Sequence, residues 1–257
     1  MSASTERLGL SEPLPLRIAW TVFNSLQLLF TVTWTAGCIS LALLVRRILR
    51  DERVPLRMAA RLWAPGLLGG AGAKVVVEGA DRVDWARPHV LVATHASVID
   101  ICALFRAAPI PLRFMLKQEM TRVPFVGWYA KAMGMCFIER EGNRASMVRS
   151  LRAAAAIVRG GHSLCIFPEG TRNRDGVIGA FKPGAFQVAI ATGVQVVPVA
   201  MSGSGAILPP YSFRVRPGTI HVRFGTPIHL PDAPPAEARE QLALQARQRV
   251  VEMMGAC

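Results

Sequence analysis

From Ile18 to Val45 the chain carries no charged side chain. As a helix, these 28 residues would extend roughly 42 Å at about 1.5 Å each, more than the roughly 30 Å of a bilayer's hydrocarbon core. A run of that length either spans with tilt or bends and re-enters. Asn24, Ser25 and Gln27 form a polar notch that suits a bend. A buried core helix is the poorer alternative, because nothing flanking the run could cover all of its faces. An export signal fits poorly too. Thr35-Ala36-Gly37-Cys38 looks faintly like a lipoprotein cleavage box, but Thr35 stands where Leu is preferred and the apolar run continues past Cys38. Arg46, Arg47, Arg50 and Arg53 follow the run, against Arg7 and Arg17 before it. The positive-inside rule therefore puts the C-terminal side in the cytoplasm. The expectation is a cytoplasmic-membrane protein whose main domain lies on the cytoplasmic side.

Pro55 to Trp63 reads as a short amphipathic helix. Leu56, Ala59, Ala60 and Trp63 share one face, and Arg57 and Arg61 lie on another. Such a helix suits an anionic membrane interface, or equally packing on a domain surface. Gly69-Gly70-Ala71-Gly72 then looks like a hinge. The expected organisation is a membrane-associated helical segment over residues 1–72, with an apolar helix at 18–45 and an amphipathic one at 55–63, followed by a domain over 73–257.

Beyond Gly72 short β-branched runs alternate with helical patterns. Strands are expected at 74–77, 89–93, 112–116, 135–138, 163–167, 195–199 and 220–224, and helices at 97–106, 144–159, 184–192 and 236–254. The 144–159 helix is the best marked, with Asn143 as N-cap and Gly160-Gly161 as its stop. Alternation of this kind predicts an α/β fold: a mostly buried mixed sheet of about seven strands flanked by helices.

Thirty basic residues against 17 acidic ones give a net charge of +13, which calls for an anionic partner such as a membrane surface, nucleic acid or a phosphorylated ligand. A nucleic-acid binder would explain the charge but not the uncharged run, and two Tyr offer little for base stacking. Five scattered Cys without a C-x-x-C argue against a disulfide framework or a zinc ribbon. Nucleophile-elbow, P-loop, zinc-protease and dinucleotide fingerprints are all missing from the sequence.

Two strand ends stand out. His89-Val90-Leu91-Val92-Ala93 runs into His95, with Asp100 five residues on. If His95 lies in the turn and Asp100 points back from the first helical turn, the carboxylate can hold one ring nitrogen and leave the other as a base. The plainer reading is a capping box, Ser97 at N-cap and Asp100 at N3. The second strand end is Phe167-Pro168-Glu169-Gly170-Thr171-Arg172, with Phe181-Lys182-Pro183-Gly184-Ala185 shortly after. A Gly-containing turn with Arg172 and Lys182 at the carboxyl end of a strand suits a phosphate; an ordinary solvated turn is the alternative.

At these residues the chain resembles the glycerolipid acyltransferase family, the 1-acyl-sn-glycerol-3-phosphate acyltransferases in particular. Four blocks occur in order: His95-x4-Asp100, with Thr94 for the usual Asn; Gly134 to Arg140, with Glu139 often Asp; Phe167 to Arg172, with Asn173 for Ser; and Val197-Pro198-Val199. Lys117-Gln118-Glu119-Met120, leading to Pro124-Phe125-Val126-Gly127-Trp128, and the Lys182 stretch match as accessory patterns. The resemblance implies transfer of a fatty acyl group from acyl-CoA or acyl carrier protein to the free hydroxyl of a lysophospholipid, with no cofactor beyond that thioester. It implies His95 as general base with Asp100 orienting it, Arg140 and Arg172 on the acceptor phosphate with Lys117 or Lys182 assisting, and Glu169, Gly170 and Thr171 shaping the acceptor site. The implied partners are the bilayer, lysophosphatidic acid and the acyl donor, with no nucleic acid. Another lyso-lipid acceptor, or a non-catalytic lipid-binding protein on the same fold, are the competing readings.

Overall fold

The computed structural model describes residues 13–139, 144–173, 177–210 and 212–255. The chain begins with α1 (Leu14–Leu49), α2 (Arg53–Met58), a π-helical turn (Ala59–Trp63) and α3 (Ala64–Gly70). It continues through β1 (Ala73–Glu78), β2 (Val90–Ala93), α4 (Asp100–Ala107), β3 (Leu112–Lys117), α5 (Val126–Ala132), β4 (Cys136–Ile138), α6 (Arg144–Arg159) and β5 (Ser163–Ile166). The last elements are α7 (Gln187–Thr192), β6 (Val196–Ser202), α8 (Ser204–Ile207), β7 (Gly218–Phe224) and α9 (Pro235–Gly255).

All seven expected strands are present and join one sheet in the order β1-β7-β6-β2-β5-β3-β4. β2, β3, β4, β5 and β6 run parallel to one another, and β7 runs antiparallel to β6. β2 lies at the centre and is covered on both faces. Its Leu91 and Ala93 join a core built with α3, α4 and α5, while Val90 and Val92 join a second core built with α6, α7 and α9. That alternation follows from the two-residue period of a strand.

Among the described residues one helix, α1, is long and apolar enough to cross a membrane, and most of it is exposed. It is unbroken through the polar notch where a bend was expected. The notch instead packs against the body: Gln27 is buried, and Asn24 Oδ1 accepts the Val215 N–H at 2.8 Å. The amphipathic helix expected at 55–63 is part of a longer helical stretch from Arg53 to Gly70. Its apolar face packs on the domain. Leu56 and Ala59 are buried in the same core as the sheet, with Ala64 and Leu68 beside them, and Arg57 and Arg61 are exposed. Tyr129 OH donates to the Pro55 carbonyl at 3.2 Å, and Arg113 pairs with Glu52 across the same seam.

Of the glycine run read as a hinge, Gly70 packs under Phe30 and Gly72 makes a left-handed turn into β1. One turn earlier, a Cβ on Gly66 would lie 2.3 Å from the Trp34 ring. Phe30 and Trp34 stack at 5.9 Å, so two glycines four residues apart on α3 receive two rings from α1. Trp34 Nε1 donates to the Trp63 carbonyl and Trp63 Nε1 to Thr35 Oγ1, both at 3.2 Å. Two other expected helices are shorter than read. The 97–106 helix starts at Asp100, for reasons given below, and the 184–192 helix opens with a 3-10 turn at Pro183–Phe186 before α7. Proline and glycine at its start favour the tighter turn.

Gly66→Val should destabilise the protein by about 1–3 kcal/mol, because the Trp34 ring has nowhere to move within the helix seam. Thermal unfolding in detergent checks it. An unchanged Tm would mean that α1 is not held by this contact.

Candidate active site

The central strand ends in a turn, not a helix, and Asp100 is the reason. Its Oδ2 accepts the backbone N–H groups of Ala96 and Ser97, each at 2.8 Å, and bonds His95 Nδ1 at 2.9 Å. The Asp100 side chain is fully buried (0% exposed) and that of His95 is 17% exposed. With its amides drawn to that carboxylate, the 95–99 segment cannot continue a helical ladder, and α4 begins at Asp100 with Ile99 as N-cap. The capping and histidine-holding readings therefore describe one carboxylate. It takes the Ser97 amide as a capping side chain would, and the imidazole besides. Ser97 is not the N-cap; its Oγ donates to the Leu208 carbonyl at 2.6 Å.

A carboxylate only accepts, so Nδ1 is the donor, and in the neutral ring Nε2 is the nitrogen that keeps a lone pair. Among the described residues Nε2 has no hydrogen-bond partner. The ring lies flat on Phe167, centroids 4.0 Å apart and planes at 17°, and Phe167 stacks on Phe114 at 6.4 Å. Phe167 stood in the sequence as the end of a strand and the first residue of the Phe167–Arg172 block, with no role of its own. Its position next to the Glu169 turn is the signal that could have singled it out.

Because β5 pairs with β2, the turn after β5 lies beside the His95 turn. Glu169 spans the two: Oε1 accepts the His95 N–H at 3.3 Å, and Oε2 accepts the Gly179 N–H at 3.0 Å. Asn173 N–H donates to the His95 carbonyl at 2.7 Å. Gly170 has φ +80°, and a Cβ there would sit 2.9 Å from Lys182 Nζ. The missing side chain lets the ammonium fold over the turn. Lys182 N–H bonds the Pro168 carbonyl at 3.0 Å, tying the two segments together. From α9, Arg247 donates to the carbonyls of Ile178 and Gly179, both at 3.0 Å, and so braces the stretch that holds Glu169. Nothing in the sequence pattern marked Arg247.

His95, Asp100, Glu169, Gly170 and Lys182 are thus gathered at the carboxyl end of the central strands. Thr171 is exposed on the same turn, and Arg172 is half-buried, one residue from the Asn173–His95 bond. Lys117, the last residue of β3, is exposed at this end of the sheet. No hydrogen bond or ion pair among the described residues joins it to His95 or to the Glu169 turn. Arg140 and the expected N-cap Asn143 lie outside the described residues.

Nearby thiols are held neutral. Burial, and then the Asp100 carboxylate, push Cys102 up to about 12, and the same two causes raise Cys165 further. Neither presents a thiolate near neutral pH. Behind the aromatic row lies an apolar cavity of about 700 Å³, counting its mouth, with Ile39 and Ala42 of α1, Trp63, Phe105, Phe114 and Met135 among its walls.

Asp100→Asn leaves one carboxamide oxygen facing three donors. That oxygen can keep all three but without the negative charge, and the NH2 falls where Oδ1 is buried without a partner, so the change should cost about 1–3 kcal/mol in chemical denaturation. No change in stability would mean that the turn does not depend on this carboxylate.

The family model described as Acyltransferase matches residues 74–202. A chloroplastic 1-acyl-sn-glycerol-3-phosphate acyltransferase of Arabidopsis thaliana is 34% identical over 183 residues, covering 70% of this chain and 49% of that protein. The chain therefore spans about half the length of that relative. A 1-acyl-sn-glycerol-3-phosphate acyltransferase of Chlamydomonas reinhardtii is 30% identical over 238 residues, covering 92% of this chain and 68% of the algal protein. The crystal structure of the 1-acyl-sn-glycerophosphate acyltransferase of Thermotoga maritima superposes with a TM-score of 0.78, covering 93% of this chain and 97% of that one, at 24% identity, which is a likeness of fold. The matched span holds the His95–Asp100 turn, the Glu169 turn and five parallel strands that bring them together, and with an algal relative aligned over nearly the whole length, the chain belongs to the acyltransferase family.

Proposed function

We propose that this protein is a membrane-bound 1-acyl-sn-glycerol-3-phosphate acyltransferase, moving a fatty acyl group from acyl-CoA or acyl carrier protein to the sn-2 hydroxyl and so making phosphatidic acid. The observation that carries the reading is the His95 ring, held at Nδ1 by Asp100 Oδ2 at 2.9 Å, with Nε2 unengaged beside a turn bearing Arg172 and Lys182. Nε2 accepts the hydroxyl proton as the oxygen attacks the thioester carbonyl. The tetrahedral intermediate collapses, the C–S bond breaks, and the departing thiolate takes the proton back from the imidazolium. Asp100 keeps the tautomer and balances the charge that the ring acquires. The step needs both substrates together and no acyl-enzyme. The neutral Cys102 and Cys165 thiols and the bonded Ser97 hydroxyl agree with that. It calls for no cofactor besides the thioester.

Arg172 and Lys182 would hold the acceptor phosphate, with Arg140 and Lys117 completing the cationic wall, Glu169 and Gly170 shaping the turn and Thr171 at its rim. The cavity's almost wholly apolar lining would suit a fatty chain. The exposed apolar face of α1 supports membrane anchorage. Asn24 and the buried residues Cys38, Ile39 and Ala42 both meet the body, about 21–27 Å apart along the helix at 1.5 Å per residue, so the body lies alongside the helix. The arginines after the run favour the cytoplasmic side of the cytoplasmic membrane for the domain.

The test is one assay: the purified full chain in detergent, oleoyl-CoA or oleoyl-acyl carrier protein, and a panel of lyso-lipids. Lysophosphatidic acid should be the preferred acceptor, and a clear preference for a larger headgroup would redirect the assignment. His95→Ala should lower turnover about 10²–10⁴-fold without unfolding the protein; more than half of wild-type activity would sink the mechanism. Arg172→Ala should raise the acceptor KM and leave the donor KM little changed. Arg172→Lys should recover part of the loss, since it keeps the charge but not the planar fork. Equal effects on donor and acceptor would refute the phosphate role.

A further inference from the structure

The polar notch of α1 plays no part in the chemistry above, yet it faces a cationic cleft. Arg17, Trp20, Thr21, Asn24, Ser25 and Leu28 recur at helical spacing and form one wall. The opposite wall is the 213–216 segment. That segment is held at Val215 and Arg216, and the turn before it by Ser212. Ser212 N–H bonds the Pro209 carbonyl at 3.2 Å, Val215 N–H bonds Asn24 Oδ1 at 2.8 Å, and Arg216 N–H bonds the Ile207 carbonyl at 2.9 Å. Val215 is buried, so its neighbours Arg214 and Arg216 both turn outward, into the cleft. Three guanidiniums therefore line one opening. None of them makes an ion pair with an acidic side chain among the described residues.

Three like charges in one cleft repel unless an anion lies between them, and guanidinium forks match phosphate oxygens. The cleft's own shape selects the carrier of that phosphate. Its cationic end carries Trp20, an aromatic of the kind that sits at headgroup level. At and just beyond the cleft's far end, α1 exposes the apolar side chains of Leu28, Leu29 and Val32. A soluble nucleotide or coenzyme A would leave these side chains bare, whereas acyl chains would cover them. The cleft also lies at the same end of the sheet as His95. The 208–217 connection starts at Leu208, whose carbonyl holds Ser97, and leads into β7. We infer that Arg17, Arg214 and Arg216 form a second lipid site, which binds the phosphate of an anionic membrane phospholipid and seats the catalytic end of the sheet at headgroup height. This goes beyond the acyl-transfer reading and stands or falls separately from it.

Native mass spectrometry of the full chain in neutral detergent, titrated with phosphatidylglycerol or phosphatidylcholine, reads the site directly. One phosphatidylglycerol should be retained and phosphatidylcholine should not. Arg214→Ala with Arg216→Ala should weaken retention about tenfold or more, and Arg214→Lys with Arg216→Lys should restore part of it. Arg149→Ala with Arg152→Ala, an exposed pair on α6, removes the same charge elsewhere and should change nothing. Equal loss in that control pair would reduce the effect to diffuse net charge and overturn the site. So would equal retention of phosphatidylcholine. Displacement of the lipid by glycerol 3-phosphate or coenzyme A at matching concentration would overturn the lipid assignment in favour of a soluble phosphate ligand. Acyl transfer to a short-chain monomeric acceptor should survive the Arg214/Arg216 substitutions, so failure of this site and failure of the proposed activity are distinguishable.

Discussion

One buried oxygen organises the centre of this protein. Asp100 Oδ2 draws in two backbone amides and the His95 imidazole, within 2.8–2.9 Å of each. Removing a carboxylate from water is costly unless donors replace the solvent, and three donors converge on this atom. The turn that results fixes where α4 starts, which way the histidine ring points and which ring nitrogen stays available. Glu169 extends the arrangement to the next strand by accepting the His95 amide, and Arg247 of α9 braces the other end of that link through Gly179. Four elements from across the chain thus converge on one histidine.

The second constraint is the seam between α1 and the body. Gly66 and Gly70 admit Trp34 and Phe30, indole N–H groups bond across the seam, and Asn24 reaches the 213–216 segment. Much of the rest of α1 is apolar and exposed, although Cys38, Ile39 and Ala42 are buried. A helix so held cannot stand clear of the domain, and its exposed apolar side and the His95 end of the sheet are set relative to each other. The apolar cavity is built from both partners in this seam.

Much of the fold was legible residue by residue. Short β-branched runs bounded by glycine and proline marked all seven strands; β2, β5 and β6 are buried on both faces and so nearly apolar throughout, while β1 and β7 are part-exposed. α6 was placed at both ends by its period and by Gly160-Gly161. α5 went unread: Val126–Ala132 is too short to show a period, and its start at Phe125 has φ +60°, which no propensity indicates. The amphipathic face at 55–63 was visible, but periodicity says only that a face is apolar, not whether lipid or protein covers it. The protein core covers it here.

For the site, local spacing supplied His95, Asp100 and the Glu169 turn as separate candidates, and could not tell a cap from a catalytic pair. Sequence by itself determined which chemistry was possible: a base with a carboxylate in reach, cations at a strand end and an apolar helix of membrane length. Only the tertiary structure decided that the two strand ends are neighbours, since strand order is set by long-range pairing that leaves no mark in local pattern. The same holds for Phe167 beneath the ring, for Arg247 behind Glu169, and for a notch in α1 that meets two arginines nearly two hundred residues away. Contacts between segments far apart in the chain depend on which surfaces the sheet brings together, and that is a property of the packed whole.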